Sequence, residues 1–354
     1  MKLLDVINER SNNFNLIRMS AALLVIVGHS YALALGSRGL GPVKDLLGIS
    51  LGTIAVDIFF ITSGLLVTKS LLQRSSLKIF IISRVLRIFP ALLISVLFCV
   101  VIGAIFSTFP LREYITHPEF LSFIIYNSSI VIADFQELPG VFYNAPLDRS
   151  VNGSLWTLPW ELRMYIILIF VGITLSVIKK LKLSFDITTY LIISIAILCT
   201  ILHIYFYYSE DYHWFYNKFV RFTSSFFIGA SLYILKSHIV LNTKTIYLIS
   251  AALIVSLWLG KNAFFVFYTL SIPYLVLCAA YMPKGKILNY NNLGDLSYGT
   301  YIYAWPVQQA LAISFVGITP NQMSLLTILI VLFLSMFSWY FIERPSLNLK
   351  RFFV

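Results

Sequence analysis

The chain has 354 residues, of which 59% are hydrophobic and only 12% charged, and its mean hydropathy is +0.85. A soluble domain carries about twice that charged fraction, so the composition excludes a water-soluble globular protein and points to an all-α polytopic membrane protein. The formal net charge of +11 is read by position, because basic residues beside apolar spans report orientation; no basic run interleaved with aromatics points to a nucleic-acid partner.

Windows long enough to cross a bilayer number about ten. They cover 14–35, 51–72, 80–107, 155–178, 187–207, 218–236, 243–260, 263–282, 295–316 and 323–343. Lys2 and Arg10 precede the first window, and Ala32-Leu33-Ala34 is similar to a signal-peptide cleavage site. The leading segment is long, however, Arg18 interrupts the apolar run, and further spans follow, so the first window is expected to be retained. Connections on one side carry Arg74, Lys78, Lys179, Lys180, Lys182, Lys236, Lys244, Lys284 and Lys286, together with the tails. The opposite side holds Arg38, Lys44, Arg112, Arg149, Lys218 and Lys261. That balance, roughly fourteen against six, places both termini in the cytoplasm and predicts an even number of spans. Residues 108–154 form a long outer loop rich in Pro and Gly, either a cover over an outer cavity or a tether. The expected organisation is a single integral membrane domain over 1–354, with no appended soluble domain. Cys99, Cys199 and Cys278 lie in apolar stretches; an odd, widely spaced set predicts neither a disulfide nor a metal site.

Within the first window Arg18 and His29 stand eleven positions apart. That is close to three helical turns, which leaves the side chains about 20° apart on one face and roughly 16 Å apart along the axis. Charged and titratable residues inside a membrane helix mark functional sites by default. Arg84 and Arg87 begin the third window near the same end as Arg18, and Lys69 closes the second there. Lys69 reads as an anchor at the lipid interface. The arginines suit bidentate phosphate binding and form a candidate site for an anionic ligand such as coenzyme A. In the other half, His29, Asp57 and Glu161 each lie about six residues, or roughly 9 Å, below the outer boundary. A histidine oriented by a carboxylate is the usual general base toward a hydroxyl. The alternative is a hydrogen-bond network that ties helices together. Arg163 reads as a neutraliser of a nearby carboxylate, and Gly64 and Ser63 as sites of close helix packing. His117, His203, His213 and His238 fall in or near loops without metal-ligand spacing.

These elements together resemble the membrane-bound acyltransferase family 3, the O-acetyltransferases that modify bacterial surface glycans and some small molecules. Arg18 and His29 match its Arg-x10-His signature, and VDIFFITSGLL at 56–66 its second-helix segment. SRVLRIFP at 83–90 matches its Arg-x-x-Arg-x-x-Pro element, and NGSLWTLPWELRMY at 152–165 its tryptophan- and glutamate-containing segment. LSYGTYIYAWPV at 296–307 and IERP at 342–345 complete the series. One position departs: many members carry a histidine before the aromatic-proline pair, where this chain has Ala304. His29 is then the one well-placed intramembrane histidine.

The resemblance implies an enzyme of the bacterial inner membrane that takes acetyl from cytoplasmic acetyl-CoA, with Arg18, Arg84 and Arg87 near the donor's phosphates and no metal. It implies a glycan or lipid-linked oligosaccharide acceptor, for example an O-antigen, whose hydroxyl is deprotonated by His29 or receives acetyl from it. Asp57 or Glu161 would orient the imidazole. Two other classes remain open at this point: a proton-coupled transporter or flippase of glycan intermediates, since the same intramembrane residues build proton relays, and a non-catalytic scaffold of glycan assembly.

Overall fold

The computed structural model describes residues 1–9, 11–73, 76–130, 136–180, 187–209 and 213–353, with side chains undescribed at 175–180 and 187–188. Arg10, Arg74 and Lys182 of the charge balance lie outside the described residues. Among the described residues the fold is built from helices, with no strand. The principal ones are α1 (Phe14–Leu35), α2 (Leu51–Gln73), α3 (Leu77–Phe106), α4 (Leu158–Lys180) and α5 (Ile187–Tyr208). They continue with α6 (Trp214–Ile234), α7 (Thr243–Trp258), α8 (Lys261–Tyr281), α9 (Ser297–Ser314) and α10 (Pro320–Ser338). Each expected window coincides with one helix.

Among the described residues seven segments are long and apolar enough to cross a membrane, which makes the chain a multi-pass membrane protein. The helices at the other three expected spans fall short of that standard, for local reasons. α7 is only 16 residues long. α6 carries Lys218, Arg221, Thr223, Ser224 and Ser225, and α9 carries Gln308 and Gln309. Both pack inside the bundle, where polar side chains find protein partners instead of lipid.

α1 packs between α2 on one side and α9 and α10 on the other, while α6 packs between α2 and α5. The α2–α6 contact is the closest, and glycine sets it. A Cβ on Gly64 would lie 1.9 Å from the Phe226 carbonyl oxygen, and one on Gly229 would lie 2.1 Å from that of Ile61. Small residues bring helix backbones together in this way when lipid offers no hydrophobic drive for association. Gly64 therefore has the packing role expected of it.

The long segment between α3 and α4 is anchored where it is described. Helices Leu111–Thr116 and Pro118–Ser129 bury Tyr114 and Phe123, and the Tyr114 hydroxyl donates to the Val100 carbonyl at 2.9 Å. The strap that follows returns over the end of the bundle and enters a 3-10 turn, Gly153–Thr157, which leads into α4. All three cysteines are buried free thiols.

Candidate active site

His29 sits on α1 beside a cavity of about 620 Å³, whose walls include His29, Trp156, Trp160 and Trp305. The imidazole meets the Trp305 ring edge-on, with centroids 4.7 Å apart at 78°. Its Nδ1 is buried without a hydrogen-bond partner. The indole is itself fixed. Its Nε1 donates to the Ser150 carbonyl at 2.9 Å, and a Cβ on Gly153 would come within 2.7 Å of its ring. Gln309 on the same helix donates to the Asp148 and Ser150 carbonyls, at 2.9 Å each. Behind His29, Gln308 Nε2 donates to Ser30 Oγ at 2.7 Å and to the Ile26 carbonyl at 2.8 Å, locking α1 to α9.

The strap is thus tied to the helix that holds His29 in place. It is latched a second time by the ion pair between Asp148 and Arg38. Burial pushes the Asp148 carboxyl up, but hydrogen bonds from Ser150 and the Arg38 guanidinium outweigh it and hold the group below the usual carboxylate range.

Neither expected carboxylate orients the imidazole. Asp57 Oδ1 accepts from Arg221 Nε at 3.0 Å and Ser225 Oγ at 3.4 Å, and Oδ2 from the Tyr268 hydroxyl at 3.1 Å. It joins α2 to α6 and α8. Glu161 Oε1 accepts from Ser63 Oγ at 3.2 Å and from the Tyr165 hydroxyl, which lies 3.0 Å from Ser63 Oγ. The physical reason is angular. Equal depth fixes a residue's height along a helix but not the direction it faces. Asp57 lies one and two turns before Ile61 and Gly64, on the flank that α6 covers, whereas His29 faces α9.

At the arginine end the sequence-predicted residues do converge, with two carboxylates that the sequence reading missed. Asp295 Oδ2 accepts from Arg18 Nη1 and Arg87 Nη2, both at 2.5 Å. Arg87 Nη1 also lies 3.4 Å from Glu343 Oε2. Gly294, at φ +88°, turns the chain just ahead of Asp295 and leaves no room for a side chain against Trp339. A π-helical turn, Trp339–Glu343, ends α10 and carries Glu343 inward, where Ser338 Oγ donates to it at 3.0 Å. Arg84 differs from its neighbours: its Nε is buried without a hydrogen-bond partner, and its guanidinium carbon lies 5.9 Å and 6.0 Å from the Phe80 and Tyr165 ring centroids. Glu343 was already visible in the IERP segment, and Asp295 in the Asp-x-Ser step that opens α9; neither signal named an arginine partner.

Three further expectations are corrected or refined. Lys69 donates to the Ile7 carbonyl at 2.5 Å, tying down the N-terminal segment. Arg163 lies over the Trp160 ring at 4.4 Å instead of beside a carboxylate. His203 is inside α5, with its ring 5.2 Å from that of Phe265, and not in a loop.

Small spaces lie between the two ends. A cavity of about 50 Å³ shares Val56 and Tyr301 with the His29 cavity, and is lined also by Phe59, Phe60, Glu161 and Arg18. A third, about 60 Å³, shares Arg18, Ser63, Glu161 and Tyr298 with the second and reaches Arg84 and Arg87. Each space thus shares wall residues with the next, from the cavity beside the imidazole to the one beside Arg84.

The acyltransferase domain family matches residues 11–344, nearly the whole chain. The chain belongs to this family. Membership selects acyl transfer over the transporter and scaffold readings, and the acyltransferase has similar relatives along its full length. It is 32% identical to an O-acetyl transferase of Shigella phage Sf6 over 361 residues, covering 96% of this chain and 97% of that protein. It is 30% identical to nodulation protein 10 of Rhizobium leguminosarum bv. viciae over 377 residues, covering 97% and 96%. No solved structure matches the acyltransferase.

Proposed function

We propose that this acyltransferase moves acetyl from cytoplasmic acetyl-CoA to a sugar hydroxyl of a surface polysaccharide, such as an O-antigen or its lipid-linked repeat unit, in the bacterial inner membrane. In this reading residues 1–354 act as one integral unit with ten crossings and both termini in the cytoplasm. The arginine end faces the donor, and the His29 cavity faces the acceptor.

The observation that carries the reading is the succession of cavities with shared walls that lies between His29 and Arg84. A donor whose anionic body stays at one end while its thioester reaches the other needs this arrangement. Arg84, which makes no ion pair among the described residues and has a buried Nε without a hydrogen-bond partner, takes the first phosphate contact. Arg18 and Arg87, held by Asp295, complete the wall. His29 accepts the proton of the sugar hydroxyl. The sugar oxygen bonds to the acetyl carbonyl carbon, the C–S bond breaks, and coenzyme A leaves as a thiolate that takes up a proton. Proton transfer by a positioned histidine contributes roughly 10²–10⁴ in rate. Trp305 sets the ring's direction in place of a carboxylate. Asp57 acts through Arg221 in the cavity wall, and Glu161, held by Ser63 and Tyr165, faces the connecting spaces.

The test supplies isotopically labelled acetyl-CoA to membranes holding the native chain or His29→Ala. Mass spectrometry follows label into extracted lipid-linked and surface glycan. Label from the native chain alone, with His29→Ala present at normal level, is the expected result. Equal labelling by both removes His29 as base or carrier.

A further inference from the structure

Arg221 on α6 lies in the wall of the His29 cavity with most of its fork already engaged. Its Nε and Nη2 are both 3.0 Å from Asp57 Oδ1, and Nη2 also donates to the Thr53 carbonyl at 2.9 Å. Asp57 is fixed in turn by the Tyr268 hydroxyl at 3.1 Å and by Ser225 Oγ at 3.4 Å. The Phe222 ring centroid lies 5.3 Å from the guanidinium carbon. The third nitrogen is left over. Among the described residues Nη1 makes no hydrogen bond, and it is not one of the side-chain atoms buried without a partner. It is therefore the accessible end of a side chain that is 16% exposed.

The same contacts bring Arg221 to the side of the cavity that holds His29. Gly28, the residue before His29, packs on the first turn of α2, where a Cβ on Gly28 would lie 3.2 Å from the Gly52 nitrogen. The next residue, Thr53, is the one whose carbonyl holds Arg221. Gly28, His29, Gly52, Thr53 and Arg221 all line this cavity. A guanidinium backed by a carboxylate is nearly neutral as a unit, so an uncharged thioester gains little from it. An oxyanion gains more, because charge-assisted hydrogen bonds are roughly twice as strong as neutral ones. A donor fixed in advance also needs no reorganisation at the moment of reaction. Contacts that strengthen only in the transition state raise kcat.

We propose that Arg221 is a further catalytic residue of the transfer, and that its Nη1 donates to the carbonyl oxygen of the acyl group while His29 takes the proton of the acceptor hydroxyl. As the acceptor oxygen bonds to the carbonyl carbon, the π pair of the C=O bond moves onto the carbonyl oxygen, and Nη1–H holds the oxyanion. The pair returns to the C=O bond as the C–S bond breaks and coenzyme A leaves as the thiolate. Asp57 is then a positioning residue that aims the fork. The inference rests on the His29 cavity being the place where acyl transfer occurs.

The test measures kcat and both KM values for labelled acetyl-CoA and glycan, with the full chain in membranes, and thermal unfolding of each variant in detergent. Arg221→Gln should lower kcat about 10²–10³-fold, the scale of one lost oxyanion donor, with both KM values little changed. Arg221→Lys should recover part of the rate. Arg221→Gln also leaves Asp57 without its cation, which is destabilising in itself. Combining it with Asp57→Asn removes both charges. The double variant should unfold closer to the native temperature than Arg221→Gln and stay as slow. Asp57→Asn alone keeps the donor and loosens its aim, so its loss of kcat should be the smaller. Recovery of rate together with stability in the double variant overturns the proposal, since Arg221 would then only hold helices together. A raised acceptor KM at native kcat overturns it too, by making Arg221 a ground-state contact. Absence of transfer by the native chain sinks the proposed reaction and this inference with it. Transfer that is lost in His29→Ala and kept in the double variant sinks the inference alone.

Discussion

The two ends of the acyltransferase hold positive charge in opposite ways. Around His29, Arg163 and Lys218 lie on tryptophan faces, and the imidazole lies against Trp305. At the other end Arg18 and Arg87 converge on Asp295, with Glu343 behind them. A ring face positions a cation through its quadrupole, a carboxylate through its full charge. The first arrangement packs cations into an aromatic cavity wall. The second ties distant helices together where the bundle closes.

The comparison breaks most sharply at Asp295. Asp295→Asn strands two partly buried guanidinium groups against each other, and losing one partner of such a cluster costs about 3–5 kcal/mol. Thermal unfolding in detergent should show the loss, and adding Arg18→Met to Asp295→Asn should return part of it. A small effect of Asp295→Asn would mean that the arginines are solvated and the contrast between the ends is weaker than the contacts imply.

Arg84→Ala addresses the exception at the same end. With no carboxylate to leave behind, it should unfold near the native temperature yet raise the KM for acetyl-CoA about 10-fold or more, the scale of one charged hydrogen bond. An unchanged donor KM would return the donor contact to Arg18 and Arg87.

Trp305→Phe sharpens the comparison at the His29 end. The ring remains but its hydrogen bond to Ser150 is lost, so the imidazole should drift and kcat fall about 10-fold with the donor KM unchanged. A change in donor KM instead would place Trp305 in binding and not in positioning.

The smallest effect belongs to the strap. Arg38 is 68% exposed, so Asp148→Asn should cost no more than about 1 kcal/mol. The Asp148 carboxyl is depressed in the folded chain, so its contribution is present above the ordinary carboxylate value, about 3.9. It is lost as pH falls through the lower folded value. Amide protection across 147–152, relative to the intrinsic exchange rate at each pH, should accordingly be steady from neutral pH to about 5 and fall only below about 4. A fall near pH 6 would point to a different latch.

The helix positions were legible because lipid demands long apolar runs, and every expected window became a helix. Gly64 was legible as a packing residue for a similar reason, since few other roles suit a glycine inside a membrane helix. The convergence of Arg18 and Arg87 on one end followed from depth alone. What depth could not supply was direction around each helix, and so Asp57 was set beside His29 although it faces α6. Partners far apart in the chain were equally hidden. Asp295 lies 277 residues from Arg18 and 208 from Arg87, and nothing in local spacing joins them.

The middle space has a consequence for how the two ends can vary. At about 50 Å³ it is far smaller than the cavity beside His29, of about 620 Å³. Its wall mixes Val56, Phe59 and Phe60 with Arg18, Ser63 and Glu161, so it offers both room and polar partners for water. Val56 and Tyr301 line this space and the larger cavity alike. A bulkier side chain at Val56 would therefore narrow both at once, and neither end of the fold can be reshaped there without the other.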